Sequence, residues 1–143
     1  MVAVVQRQDW IELEGRDTTQ PTGFINATTE WLASSVDKVF FVAPRSMKVR
    51  RIVARVTVAG TDTTTPAPSA VIRKVPTGTA IGSGTALHST SIDLKGSADT
   101  NQVITLSTTS STLDLAQGDC LAIDFTGTLT GATGAVTVGM APK

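Results

Sequence analysis

The stretch Met47-Lys48-Val49-Arg50-Arg51-Ile52-Val53-Ala54-Arg55-Val56-Thr57-Val58 reads as a single long strand whose parity changes part-way along. Met47 and Val49 are apolar on the odd face. Ile52, Ala54, Val56 and Val58 are apolar on the even face. Successive side chains of a strand point to opposite faces, so one buried face cannot accommodate that change without a slip. A β-bulge, or a passage from one sheet to another near Arg50-Arg51, re-aims the side chains. Bends of this kind belong to the corners of β-sandwiches.

Working outward, the same signals recur. Val36 to Ala43 is an apolar run closed by Pro44, and Ser69 to Val75 is a short strand stopped by Pro76. Ile92 and Leu94 alternate with polar residues ahead of Gly96. Gln102 to Thr108 carries Ile104 and Leu106 on one face, and Leu113 and Leu115 lead into the Gly118-Asp119 turn. From Asp119 to Thr126, Leu121, Ile123 and Phe125 face one way, and Cys120, Ala122, Asp124 and Thr126 the other. Val136, Val138 and Met140 form the last strand. Gly60 to Pro68, Thr77 to Ser91 and Gly127 to Gly134 read as loops. About eight short strands separated by turn signals predict an all-β fold, an antiparallel jelly-roll-like sandwich.

Composition agrees. The 143 residues include 24 Thr and 15 Val but three Glu. β-branched side chains favour strands, and the usual filler of exposed helix faces is scarce. One domain is expected at this length.

The N-terminal part differs from the rest. Five of the six aromatics (Trp10, Phe24, Trp31, Phe40 and Phe41) lie in the first 41 residues. Val2 to Leu13 reads as extended and Gly15 to Gly23 as a loop. Phe24 to Ser35 reads either as a short helix capped by Asn26 or as coil, since Thr28-Thr29 weakens a helix. The division expected is an N-terminal docking arm, residues 1–35, ahead of a sandwich body, residues 36–143.

Chemistry-bearing residues are few. Cys120 is alone, which excludes an intramolecular disulfide framework, and one Cys with one His cannot build a structural zinc site. His88 sits in a Gly/Ser/Thr-rich stretch without a nucleophile-elbow pattern, and reads as an exposed or hydrogen-bonded loop residue. Asp114, Asp119 and Asp124 allow several carboxylate pairs, but a sugar-cleaving cleft usually carries aromatic platforms, and the body has almost none. No Asp-x-Asp-x-Asp loop supports calcium. Gly78, Gly82 and Gly84 lack phosphate-loop spacing. The expectation is a non-enzyme without cofactor or metal. Met1 to Arg7 does not read as a secretion signal, Asn26-Ala27-Thr28 matches a glycosylation sequon, and no apolar run reaches eighteen residues.

Charge placement is sharper. The formal net charge is zero, which speaks against a nucleic-acid binder. Arg45, Lys48, Arg50, Arg51 and Arg55 nevertheless put five cations in eleven residues without an acid. From Asp99 to Pro142 there are four acids and no base. Opposed patches of this kind suit contacts between copies. Arg50, Arg51 and Arg55 against Asp114, Asp119 and Asp124 are the expected trimer contacts. Val4, Val5, Trp10, Ile11, Leu13, Phe24 and Trp31 are the expected docking residues, since Trp and similar anchors dominate interfaces.

Three segments carry a resemblance: Met47-Lys48-Val49-Arg50-Arg51-Ile52, Ala80-Ile81-Gly82-Ser83-Gly84-Thr85, and Leu115-Ala116-Gln117-Gly118-Asp119-Cys120-Leu121-Ala122-Ile123-Asp124-Phe125. Val36 to Pro142 resembles the jelly-roll bodies of tailed-bacteriophage virion proteins, and specifically the capsid decoration (cement) proteins. The resemblance implies a virion protein, a homotrimer on threefold positions of the shell, whose extension grips the major capsid protein and so bridges capsomers. It implies neither a membrane nor a nucleic-acid partner, and it transfers no residue role position by position. A carbohydrate- or receptor-binding module of a fibre or adhesin is the alternative, with Gly60 to Pro68 and Thr77 to Ser91 as its loops.

Overall fold

A computed structural model describes residues 25–143. Their strands are β1 (Ile25–Trp31), β2 (Lys38–Val42), β3 (Met47–Val58), β4 (Ser69–Val75), β5 (Thr85–Ala86), β6 (Ile92–Asp93), β7 (Thr100–Val103), β8 (Asp114–Leu115), β9 (Cys120–Thr126) and β10 (Thr133–Pro142). One sheet runs β1-β10-β3-β7, with β8 beside β3; the other runs β2-β9-β4-β5, with β6 beside β4. Every pairing is antiparallel. Taking β5 with β6 and β7 with β8 as two interrupted edges leaves eight positions in the orders 1-8-3-6 and 2-7-4-5. That is the jelly roll, with two interleaved Greek keys. The two extra strands arise where the edges break.

The parity change in β3 is a bulge. Arg51 pairs with Gly139 and Val49 with Met140, which leaves Arg50 without a register partner. Val49 and Ile52 therefore both face the core, and Arg50 and Arg51 are both exposed. A second irregularity leaves Thr57 between Val56, opposite Gly134, and Val58, opposite Thr133. It ends the inward alternation, and Val58 is exposed rather than buried.

The core lies between the sheets. Val49, Ile52, Ala54 and Val56 of β3 meet Val136, Val138 and Met140 of β10. Ala70 and Ile72 of β4 and Leu121 and Ile123 of β9 close it from the other side. Ala122 has the outward parity yet is buried; the 3-10 turn Ile81–Ser83 packs against β9 and β4 there.

Ile25–Trp31 is neither helix nor coil. Ala27, Thr29 and Trp31 alternate inward along the strand, and all seven residues pair with β10. Thr28-Thr29, which weakened the helix reading, is what suits the strand. A boundary at residue 35 would separate β1 from β10, its partner in the first sheet, where β1 is the end strand among the described residues.

Candidate functional site

Val4, Val5, Trp10, Ile11, Leu13 and Phe24 lie outside the described residues. Trp31 is not exposed for docking. It is 1% exposed, packs in the core and faces Gly134 in register. The inward positions of its strand, Ala27, Thr29 and Trp31, carry weak hydrophobic contrast, which hides the strand in the sequence.

The expected acidic partners are engaged within the chain. Asp114 receives Lys48 Nζ at 3.1 Å and Lys143 Nζ at 2.8 Å. Those ammonium groups, Lys143 first, hold its carboxyl below the ordinary range. Asp124 receives Arg73 Nε at 2.5 Å, and Arg73 also donates to Gly84 O at 2.9 Å, tying the turn after Pro76 to β9. Asp119 Oδ2 accepts from Ala116 N at 2.9 Å and so stabilises the turn into β9. Arg55 meets Asp99 at 3.4 Å with both side chains exposed, a pair of small value in water. Asp114 and Asp124 are thus paired with cations of their own chain, whereas Asp119 bonds a backbone N–H alone among the described residues.

Arg50 and Arg51 pair with no acid among the described residues. The register sets Asn26, Gly139 and Arg51 side by side across the first sheet, with Thr28, Thr137 and Val53 in the next outward row. Thr28 and Thr137 share a hydroxyl hydrogen bond of 3.0 Å. Asn26, Arg51, Val53, Thr137 and Gly139 line a depression of about 430 Å³. A guanidinium, a carboxamide and a hydroxyl thus converge over a glycine, a set that complements a carboxylate carrying further hydroxyl or amide groups.

A second surface carries no distinct signal in the sequence. Leu32, Val36, Val39 and Val42 are all exposed, Val36 to 73%. Val39 and Val42 lie on β2, and Leu32 and Val36 precede it; the pairing of β2 among the described residues is to β9 alone. Exposed apolar side chains gathered along one free sheet edge favour covering by another surface.

His88 is 5% exposed. Its Nε2 accepts from Ile72 N at 2.9 Å, so the neutral ring carries its proton on Nδ1, which donates to Thr90 O at 2.8 Å. Burial pushes its pKa below the ordinary value, against the raising effect of the Thr90 carbonyl. This is the hydrogen-bonded loop histidine anticipated from the sequence. Cys120 is half-buried. No cluster of three metal-ligating side chains occurs among the described residues, and no helix among them is long and apolar enough to cross a membrane.

No family model matches the chain, and no curated protein does. Among solved structures, it is similar to a chain of the Bacillus endospore appendages, described as disulfide-linked pili. The identity is 14%, with 92% of this chain and 99% of that one covered and a TM-score of 0.35. It is also similar to a chain of infectious bursal disease virus, Gx strain, at 16% identity and a TM-score of 0.29, with 90% of this chain and 36% of the viral chain covered. The Gt strain gives 14% identity and a TM-score of 0.29, with coverages of 84% and 30%. Scores and identities this low say nothing about what the chain does.

Proposed function

We propose that the chain is a non-enzymatic structural protein of a phage virion, which decorates and stabilises the capsid by bridging neighbouring capsomers as a homotrimer. The observation that carries this reading is the split in the fate of the charges. Asp114 and Asp124 pair with cations of their own chain and Asp119 with a backbone N–H, while Arg50 and Arg51 stand exposed on one outward sheet face. A body of this kind meets an acidic protein surface by charge and its own copies by the aliphatic edge at β2. Many modest contacts repeated over a lattice favour the assembled shell by mass action. The major capsid protein is the partner this reading requires, and the capsid surface is the place.

Co-sedimentation of the full chain with capsids of the parent phage tests it. Binding that weakens with salt, and drops at least tenfold in R50E/R51E, supports the reading. A chain that stays in the supernatant overturns it. The N-terminal contribution is tested by a truncation ending before Ile25, since a cut at residue 35 removes β1 along with the arm.

The depression at Asn26, Arg51 and Thr137 favours a second reading, a receptor-binding module that takes an acidic sugar. Binding of uronic or sialic acids by the isolated chain, without capsid binding, favours this alternative.

A further inference from the structure

The fourth strand has an interrupted neighbour. At one end β4 pairs with β5, Arg73 opposite Ala86 and Lys74 opposite Thr85. At the other it pairs with β6, Ser69 opposite Asp93 and Ala70 opposite Ile92. Between them Leu87 N still donates to Ile72 O at 3.0 Å, and then the chain leaves the ladder over His88 to Ser91. The N–H of Ile72 would be orphaned there. The imidazole of His88 fills the place of the missing backbone carbonyl, at 2.9 Å. The ring is held from behind by Thr90 O.

The same two residues close the side of the sandwich. Leu87 O accepts from Ser107 N at 2.8 Å, and His88 forms an isolated bridge with Leu106, just past the edge strand β7 of the other sheet. Leu87, Ile92 and Leu94 are fully buried beneath this seam.

We propose that His88 is an acid-sensitive latch on this seam: a proton on Nε2 turns its acceptor into a donor facing the Ile72 donor, and the edge from Thr85 to Leu94 releases from β4. The event is a protonation alone, with the proton drawn from solvent. Arg73 on β4 opposes a second positive charge, although Asp124 of β9 is paired with it and offsets part of that field. Asp93 of β6 is exposed and accepts from Lys95 N. Release bares the β4 edge and the apolar residues beneath it, a surface open to strand addition. The inference is independent of the capsid reading.

Amide hydrogen exchange of the full chain, followed at Ile72 and Leu87 from pH 7.5 to 4.5 and corrected for intrinsic exchange, tests it. The closed form binds its proton only at a lower pH than the open form, whose histidine titrates near 6.5. Below that value the opening equilibrium should rise by up to tenfold per pH unit until the closed-form value is reached. H88Q keeps an acceptor and loses the titration, so its exchange at Ile72 should not follow that rise. Nitrogen-15 spectra of the wild-type ring at pH 7.5 should show Nδ1 protonated and Nε2 bare, a readout that needs no variant. A protonated Nε2 at that pH, or Ile72 exchange in the wild type with no rise below pH 6.5, overturns the proposal.

Discussion

Trp31 of β1 lies on Gly134 of β10, its register partner, and the indole occupies the space a Cβ at 134 would need. Arg55 O approaches the same point from β3. The contact is a double one, side chain on one flank and backbone on the other. Gly134→Ala is therefore expected to destabilise the body by about 1–3 kcal/mol through overpacking. Trimming the indole in a Gly134→Ala/Trp31→Phe double variant should not restore wild-type stability, because the Arg55 carbonyl belongs to the ladder and cannot withdraw. Urea midpoints report both variants. Wild-type stability of the single variant would show that the strands can part without cost.

The sandwich that holds this pair was legible in the sequence wherever alternation was clean. β3, β4 and β9 follow directly from the spacing of Val, Ile and Leu, and the bulge from the parity break at Arg50-Arg51. β1 was not legible, because a strand whose inward positions are Ala27, Thr29 and Trp31 has weak hydrophobic contrast. The fate of the acids was equally hidden. Lys143 reaches Asp114, and Arg73 reaches Asp124, only through pairings distant in sequence, so a charge tally along the chain sees opposed patches where the fold makes internal pairs. The aliphatic edge at β2 is hidden for a related reason: an apolar run reads as core until the sheet order places it at the end of a sheet among the described residues.

The Arg73–Asp124 pair is mostly shielded from water, with 23% and 16% of the side chains exposed. Asp124→Asn leaves a guanidinium in that setting with a weaker acceptor. A loss of about 1–3 kcal/mol is expected, seen as a lower denaturant midpoint at unchanged slope. Because Arg73 also holds Gly84 O, a double-mutant cycle with Arg73→Met should give a coupling energy, not simple additivity. Additive single effects would mean that the pair contributes nothing to stability.

Asp114 makes stability depend on pH at the acid end. Lys143 and Lys48 hold its folded carboxyl below the unfolded value of 3.8. Between the folded and unfolded values the unfolded state binds more protons, so stability rises with pH across that interval. The contribution is complete above the unfolded value and disappears as pH falls through the folded one. Wild type and Asp114→Asn should differ most at pH 5.5 and converge toward pH 2.5. Taking the difference between the two at each pH cancels the separate effect of His88. A gap in denaturant midpoint that stays constant over this range would assign the loss to packing instead of charge.

The bulge supplies the most selective test of the fold, because parity predicts opposite outcomes for two deletions three positions apart in one strand. Arg50 has no register partner, while Val49 and Arg51 face Met140 and Gly139, neighbours on β10. Deleting Arg50 joins Val49 to Arg51 and leaves Val49 and Ile52 on the core face with Arg51 outside. The ladder becomes regular, and a cost no greater than about 1–2 kcal/mol is expected for the altered local twist. Deleting Val53 instead joins Ile52 to Ala54 and sends one half of the strand to the wrong face, which turns out either Met47, Val49 and Ile52 or Ala54 and Val56. All of these are buried, and that variant should not fold. Proton–nitrogen correlation spectra separate the cases: dispersed peaks for the Arg50 deletion, collapsed peaks for the Val53 deletion. An Arg50 deletion that unfolds the chain would show that the bulge is required by the core, whereas a folded one leaves re-aiming of the two arginines as its role.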